Sequence, residues 1–201
     1  MNIVVCIKQV PATTEVRIDP KTHSLIREGA ESIINPFDEN AIEAALQLRD
    51  QQGGKVTVIS MGPPQAETAL RESIAMGADE AVLITDGAFR LSDTLATAYT
   101  LSLAIRKLGE TDLIICGKQA IDGDTAQVGP GIAERLGIPQ ATFVIGLELD
   151  GRKLRAKRLL EDCLEVVELR LPALITVVKQ MNEPRTAPMK GVLRARKAKE
   201  F

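Results

Sequence analysis

Leu113-Ile114-Ile115-Cys116-Gly117-Lys118-Gln119-Ala120-Ile121-Asp122-Gly123-Asp124-Thr125-Ala126-Gln127-Val128-Gly129 is the stretch on which the fold turns. Its first four residues are an unbroken apolar run, which predicts a buried strand. The run opens into a polar, glycine-bearing loop, and Asp124 or Thr125 is placed to cap a helix running to about Leu136. A strand that feeds a helix N-terminus through such a loop presents free backbone N–H groups and the positive end of a helix dipole. Those are what a phosphate group needs. The plainer reading is an ordinary capped connection that binds nothing, and the local pattern leaves both open.

Working outward, the same alternation repeats. Ile3–Ile7 reads as a strand of β-branched residues, and Val16–Ile18 with Leu25–Ile26 as a short hairpin or excursion. Asn35-Pro36-Phe37-Asp38 supplies a turn and cap for a helix from Asp38 to about Gln52. Val56–Met61 is a strand broken by Gly62-Pro63-Pro64, and Gln65–Met76 is a helix. Ala81–Thr85 is the next strand, and Ser92 or Asp93 caps a helix through Leu108. Strands alternating with helices predict a parallel sheet covered on both faces, with ligands beyond the carboxyl ends of its strands. Cys6-Ile7-Lys8-Gln9, Ser60-Met61-Gly62 and Cys116-Gly117-Lys118 stand at those ends. Neither GxGxxG nor GxxxxGK[ST] is present, so the site is nucleotide-like without being a dinucleotide fingerprint or a Walker loop.

After about Gln140 the texture changes. Thr142–Leu149, Lys153–Leu159 and Leu164–Leu171 alternate apolar and polar residues, Asp150-Gly151 signals a hairpin turn, and Ala173–Val178 is a further apolar strand after Pro172. This half reads as an antiparallel extension of the sheet. Residues 1–178 thus form one α/β unit. Residues 179–201 form a separate segment, in which the Pro-containing stretch Asn182–Gly191 has little periodicity and is followed by the basic run Arg194-Ala195-Arg196-Lys197-Ala198-Lys199. That segment is either a solvated tail or a docking element in which Met189 is an exposed apolar residue among charges suited to an acidic partner.

Composition narrows the function classes. A formal net charge of −2 and 2% aromatic residues with no Trp argue against a nucleic-acid partner. No apolar run is long enough for a membrane insertion, and the opening strand has no basic region before it, unlike a secretory signal. Cys6, Cys116 and Cys163 are odd in number and lack a CxxC spacing, which points to reduced thiols, a cytoplasmic protein and no metal site. The single histidine, His23, sits in a turn-like segment and supplies no triad.

Taken together, these residues resemble the β-subunit of an electron transfer flavoprotein. The resemblance runs from Ile3 to Lys199. It is carried by Val4-Val5-Cys6-Ile7-Lys8-Gln9-Val10-Pro11, Asn35-Pro36-Phe37-Asp38, Met61-Gly62-Pro63, Met76-Gly77-Ala78-Asp79, Gly117-Lys118-Gln119-Ala120-Ile121-Asp122 and Asn182-Glu183-Pro184-Arg185 with the basic cluster. Family sequences commonly carry Asp after Val-Pro, where this chain has Ala12. They also run on past the basic cluster with an arm that embraces the α-subunit, whereas this sequence stops at Phe201.

The resemblance implies a Rossmann-like sheet of the adenine-nucleotide α-hydrolase-like kind. It implies an α-subunit partner whose FAD domain this chain supports, and docking on an acyl-CoA-type dehydrogenase. It also implies a bound nucleotide, AMP in many members and a second FAD in electron-bifurcating ones, where NADH supplies hydride. Carried over by motif, adenine lies near Cys6, Asn35, Pro36, Phe37, Asp38 and Met61. The phosphate lies against Gly117, Lys118, Gln119, Ala120, Ile121, Asp122, Gly123, Asp124, Thr125, Ala126, Gln127 and Val128. Met189 takes the anchor position of the recognition loop, flanked by Arg194, Arg196 and Lys197. Thr94 and Thr97, one helical turn apart, have hydroxyls able to face one ligand. Asp93-Thr94-Leu95-Ala96-Thr97 resembles the bifurcating branch, which favours FAD over AMP. The competing readings are a universal-stress-like adenine-nucleotide binder and an ATP-using enzyme. The latter lacks the triphosphate loop it requires.

Overall fold

The computed structural model describes residues 1–12, 17–18, 25–26 and 32–198. The first half runs β1 (Asn2–Ile7), β2 (Gln9–Pro11), β3 (Arg17–Ile18), β4 (Leu25–Ile26), β5 (Ser32–Ile34), α1 (Pro36–Gln52), β6 (Lys55–Met61), α2 (Glu67–Met76) and β7 (Glu80–Ile84). There follow α3 (Thr94–Leu108), β8 (Leu113–Gly117), α4 (Val128–Leu136), β9 (Gln140–Asp150), β10 (Lys153–Leu159), β11 (Leu164–Arg170), β12 (Ala173–Val177) and α5 (Met189–Lys197). His23 lies outside the described residues.

Eight strands form one sheet in the order β11-β10-β9-β12-β8-β1-β6-β7. The expected α/β architecture is present, with a parallel centre and an antiparallel margin made by β9, β10 and β11. One detail differs. Ala173–Val177 does not extend the antiparallel part but inserts between β8 and β9, parallel to both. Its residues are buried on both faces, as a central parallel strand requires.

The pleat sorts the core into two halves. Ile3, Val5 and Ile7 of β1 and Ile115 of β8 point toward α1 and α2, whereas Val4, Cys6, Ile114 and Cys116 point toward α3 and α4. Full burial of a side chain such as Ile3 or Leu113 contributes roughly 1.5–3 kcal/mol. The helices therefore lie on both faces because both faces of these strands are apolar.

Two further departures have physical causes. The fourth helix starts at Val128, with Gln127 at its N-cap, not at Asp124 or Thr125. Pro130 explains the delay. It lacks an N–H, so it is tolerated in the first turn but would break a helix begun four residues earlier. Asp124 and Ala126 instead adopt left-handed φ values of 54° and 55°. Second, residues 189–197, read as the end of a stretch with little periodicity and the start of a basic run, form α5 and pack on α2. Gly191 permits this approach, because a Cβ there would lie 2.1 Å from the Ala75 carbonyl oxygen. The guanidinium groups are reciprocal: Arg71 donates to the carbonyls of Ala195 and Ala198, and Arg194 donates to those of Ile74 and Ala78.

Candidate functional site

The chain leaves β1 to build β6 and β7 on one side, then returns to build β8 on the other. This reversal opens a crevice at the carboxyl ends of β1 and β8, the position where open α/β sheets bind ligands. A cavity of about 640 Å³ lies there, between the strand ends, the 117–128 loop and the N-termini of α3 and α4.

Asp38 ties the crevice together from the first turn of α1. One carboxylate oxygen accepts the Lys8 N–H at 2.8 Å and the other accepts the Gly117 N–H at 3.1 Å. Gly117 is needed for this contact, since a Cβ would stand 2.2 Å from the Asp38 carboxylate. Burial pushes the Asp38 pKa up to about 7, against the lowering by the Lys8 N–H, the Asn35 side chain, the Gly117 N–H and the Lys8 charge. Asn35, fully buried, fastens the loop. Its amide donates to the Gln119 carbonyl at 2.8 Å and accepts the Ile121 N–H at 3.1 Å.

The floor carries a thiol pair. Cys6 and Cys116 face each other on β1 and β8. A hydrogen bond with Cys6, together with burial, holds the Cys116 thiol well above its usual pKa, so it stays neutral. On the rim, Asp93 caps α3 by accepting the Ala96 N–H at 2.8 Å, and the Thr94 hydroxyl donates to Gln127 Oε1 at 3.0 Å. Lys8 reaches both oxygens of Asp122 at 2.7 Å. Gln119 donates to the Asp124 carboxylate across the loop. The N–H groups of Val128 and Gly129 fall in the first turn of α4, beyond reach of any carbonyl of that helix.

Of the residues singled out in the sequence, Cys6, Asp38, Met61, Thr94, Thr97, residues 117–120 and residues 123–128 line the cavity. Asn35, Pro36, Phe37, Ile121 and Asp122 are not among the lining residues. Ile7, Lys8, Phe89, Leu91, Ser92, Asp93, Leu101, Cys116 and Gly129 line it as well and were not among the predicted ligand contacts. The available signals were the strand-end positions of Ile7, Lys8 and Cys116 and the helix start at Ser92-Asp93. Phe89 and Leu91 gave none, being apolar residues of a connecting segment. Outside the cavity lining, Met189 is 75% exposed, Arg196 and Lys197 are exposed, and Arg194 donates to the carbonyls of Ile74 and Ala78. Among the described residues there is no cluster of metal-ligating side chains, and no helix is long and apolar enough to cross a membrane.

A family model described as "Electron transfer flavoprotein domain" matches residues 22–200. The electron transfer flavoprotein subunit beta of Thermoanaerobacterium thermosaccharolyticum is 60% identical over 200 residues, covering 100% of this chain and 76% of that protein. Protein FixA of Azorhizobium caulinodans is 53% identical, covering 98% of this chain and 73% of the relative. The caffeyl-CoA reductase-Etf complex subunit CarD of Acetobacterium woodii is 52% identical, covering 97% and 75%.

Proposed function

The chain belongs to the electron transfer flavoprotein family as a β-subunit, and from that premise we propose that its switch-point cavity binds an adenine nucleotide, FAD in the first place and AMP as the alternative. It acts in electron transfer within a flavoprotein. The family assignment displaces the universal-stress-like alternative. In this reading the chain pairs with an α-subunit, supports that subunit's flavin domain and docks on an acyl-CoA-type dehydrogenase, with α5 as the docking element. The name of the CarD relative, which puts that protein in a complex with a CoA-thioester reductase, supports the partner class. Buried thiols at Cys6 and Cys116 support a reducing, cytoplasmic setting.

The observation that carries the reading is the cavity at the switch point. Its size falls within the range of small-molecule sites, and it is rimmed by two helix N-termini. The residues present fit a nucleotide: N–H groups and Lys118 for phosphate, Cys6 and Met61 for a planar ring, Thr94 and Thr97 for further polar atoms. FAD, when bound, supplies the capacity to accept hydride from NADH and release electrons singly. The chain's own residues orient it, exclude water and set the charge around it.

Thr94 and Thr97 both facing the cavity favours FAD. Nucleotide extraction from the intact heterodimer tests this. Two FAD per dimer is the expected result, and one FAD with one AMP establishes the alternative. Replacing Thr94 and Thr97 together with Val lowers flavin content toward one per dimer if the threonines contact the second flavin.

A further inference from the structure

We propose that Lys118 recognises the charge of the bound nucleotide's phosphate, and that Phe143 is the positioning residue that holds its ammonium group without neutralising it. This rests on the nucleotide reading above and names the group that selects for the anion.

Phe143 has φ 59°, in the left-handed region. A bulky aromatic residue rarely adopts that conformation, and it persists only where surrounding structure enforces it. Here the enforcing structure is a bulge. Ile175 pairs with Ala141 and Val177 with Val144, so β9 spends one residue more than β12 over the same span. The strand on the other side shows a matching shift, with Lys157 opposite Gly146 and Arg158 opposite Val144. The Phe143 N–H turns to the Thr176 hydroxyl at 3.3 Å. Bulges re-aim side chains, often beside functional sites. This one brings the Phe143 ring under Lys118, with Nζ 5.2 Å from the ring centroid. The Lys118 backbone is fixed by its own N–H, which donates to the Val177 carbonyl at 2.8 Å.

The charges lining the cavity show why a ring is used here. Lys8 is paired with Asp122, the Asp38 carboxyl accepts the Lys8 and Gly117 N–H groups, and the Asp93 and Asp124 carboxylates accept the Ala96 N–H and the Gln119 amide. Lys118 also lines the cavity, and among the described residues it makes no ion pair. A carboxylate would fix an ammonium group but cancel its charge. An aromatic face fixes it through the ring quadrupole and leaves the charge available to a ligand. The anion this suits is a nucleotide phosphate.

Binding of AMP, a dianion, and of adenosine, its neutral counterpart, to the nucleotide-free protein tests the assignment by calorimetry. Lys118→Met weakens AMP about tenfold, as expected for one lost charge contact, and leaves adenosine unchanged. Phe143→Leu weakens AMP about threefold, consistent with a lost cation–ring contact, leaves adenosine unchanged, and has no further effect in the Lys118→Met background. Phe143→Tyr keeps the wild-type AMP affinity. An unchanged AMP-to-adenosine ratio in Lys118→Met overturns the proposal while leaving nucleotide binding intact. So does a Phe143→Leu loss that is equal for both ligands, or one that persists without Lys118. If the wild-type protein binds neither AMP, adenosine nor FAD, the nucleotide reading falls and this inference with it.

Discussion

Asp38 shows how one side chain organises the site. It stitches two parallel strand ends together at the point where the chain reverses direction. Its carboxyl group is raised from 3.8 to about 7, chiefly by burial, so the protonated form is the one the fold favours. For an acid raised in this way, the stabilising contribution is fully present below the unfolded value and is lost as pH climbs through the folded one. The wild-type protein should therefore lose stability relative to Asp38→Asn between about pH 4 and pH 7, by at most about 4 kcal/mol, with no further divergence above that. Urea unfolding of both proteins from pH 4.5 to 8 checks this, and parallel curves would sink it. None of this was legible in the sequence. Asn35-Pro36-Phe37-Asp38 reads as a turn and cap because that is its local pattern. The bonds from Asp38 to Lys8 and Gly117 depend on strand order, which spans 30 and 79 residues of separation.

Among the elements, strands and helices with strong periodicity were legible, because burial on one or both faces imposes the pattern. The start of α4 and the existence of α5 were not. In the first case Pro130 outweighs the capping residues before it. In the second, α5 owes its form to docking on α2 through Gly191 and the paired arginines more than to its own composition. The approach to α5 is held by Arg185. It binds the buried Glu43 carboxylate through Nε at 2.7 Å and Nη2 at 3.2 Å, and Asp50 through Nη1 at 3.0 Å. Removing one partner of a buried pair leaves an uncompensated charge. Arg185→Ala is expected to destabilise the protein by about 3 kcal/mol, with Arg185→Lys recovering only part because the fork geometry is lost. Chemical denaturation measures both. A loss below about 0.5 kcal/mol, typical of an exposed surface change, would show that Glu43 is satisfied without Arg185.

At the scale of the molecule, the sheet separates two tasks. The cavity opens beside the N-termini of α3 and α4, whereas α5 joins the core on the α1 and α2 side through Ala195. The architecture and the cavity's main wall were visible in the sequence because a strand, a glycine loop and a helix succeed one another along the chain. The inserted position of β12 was not, since nothing local distinguishes a strand that pairs in parallel from one that pairs in reverse. The separation has a measurable consequence. Met189 is 75% exposed at the start of α5 and contributes little to the core, while Arg196 and Lys197 remain exposed on the same helix. If α5 docks on a dehydrogenase, truncating Met189 removes an interface anchor and nothing else. Met189→Ala should slow electron transfer to the dehydrogenase about fivefold or more, the effect of losing an anchor residue. It should leave nucleotide content unchanged and shift the melting temperature by no more than about 2 °C. Raising ionic strength should weaken the same step further, because the basic side chains around the anchor act through screened charge. A variant that lost nucleotide or melted many degrees lower would tie Met189 to the fold, and one that transferred electrons at the wild-type rate would move the docking surface off α5.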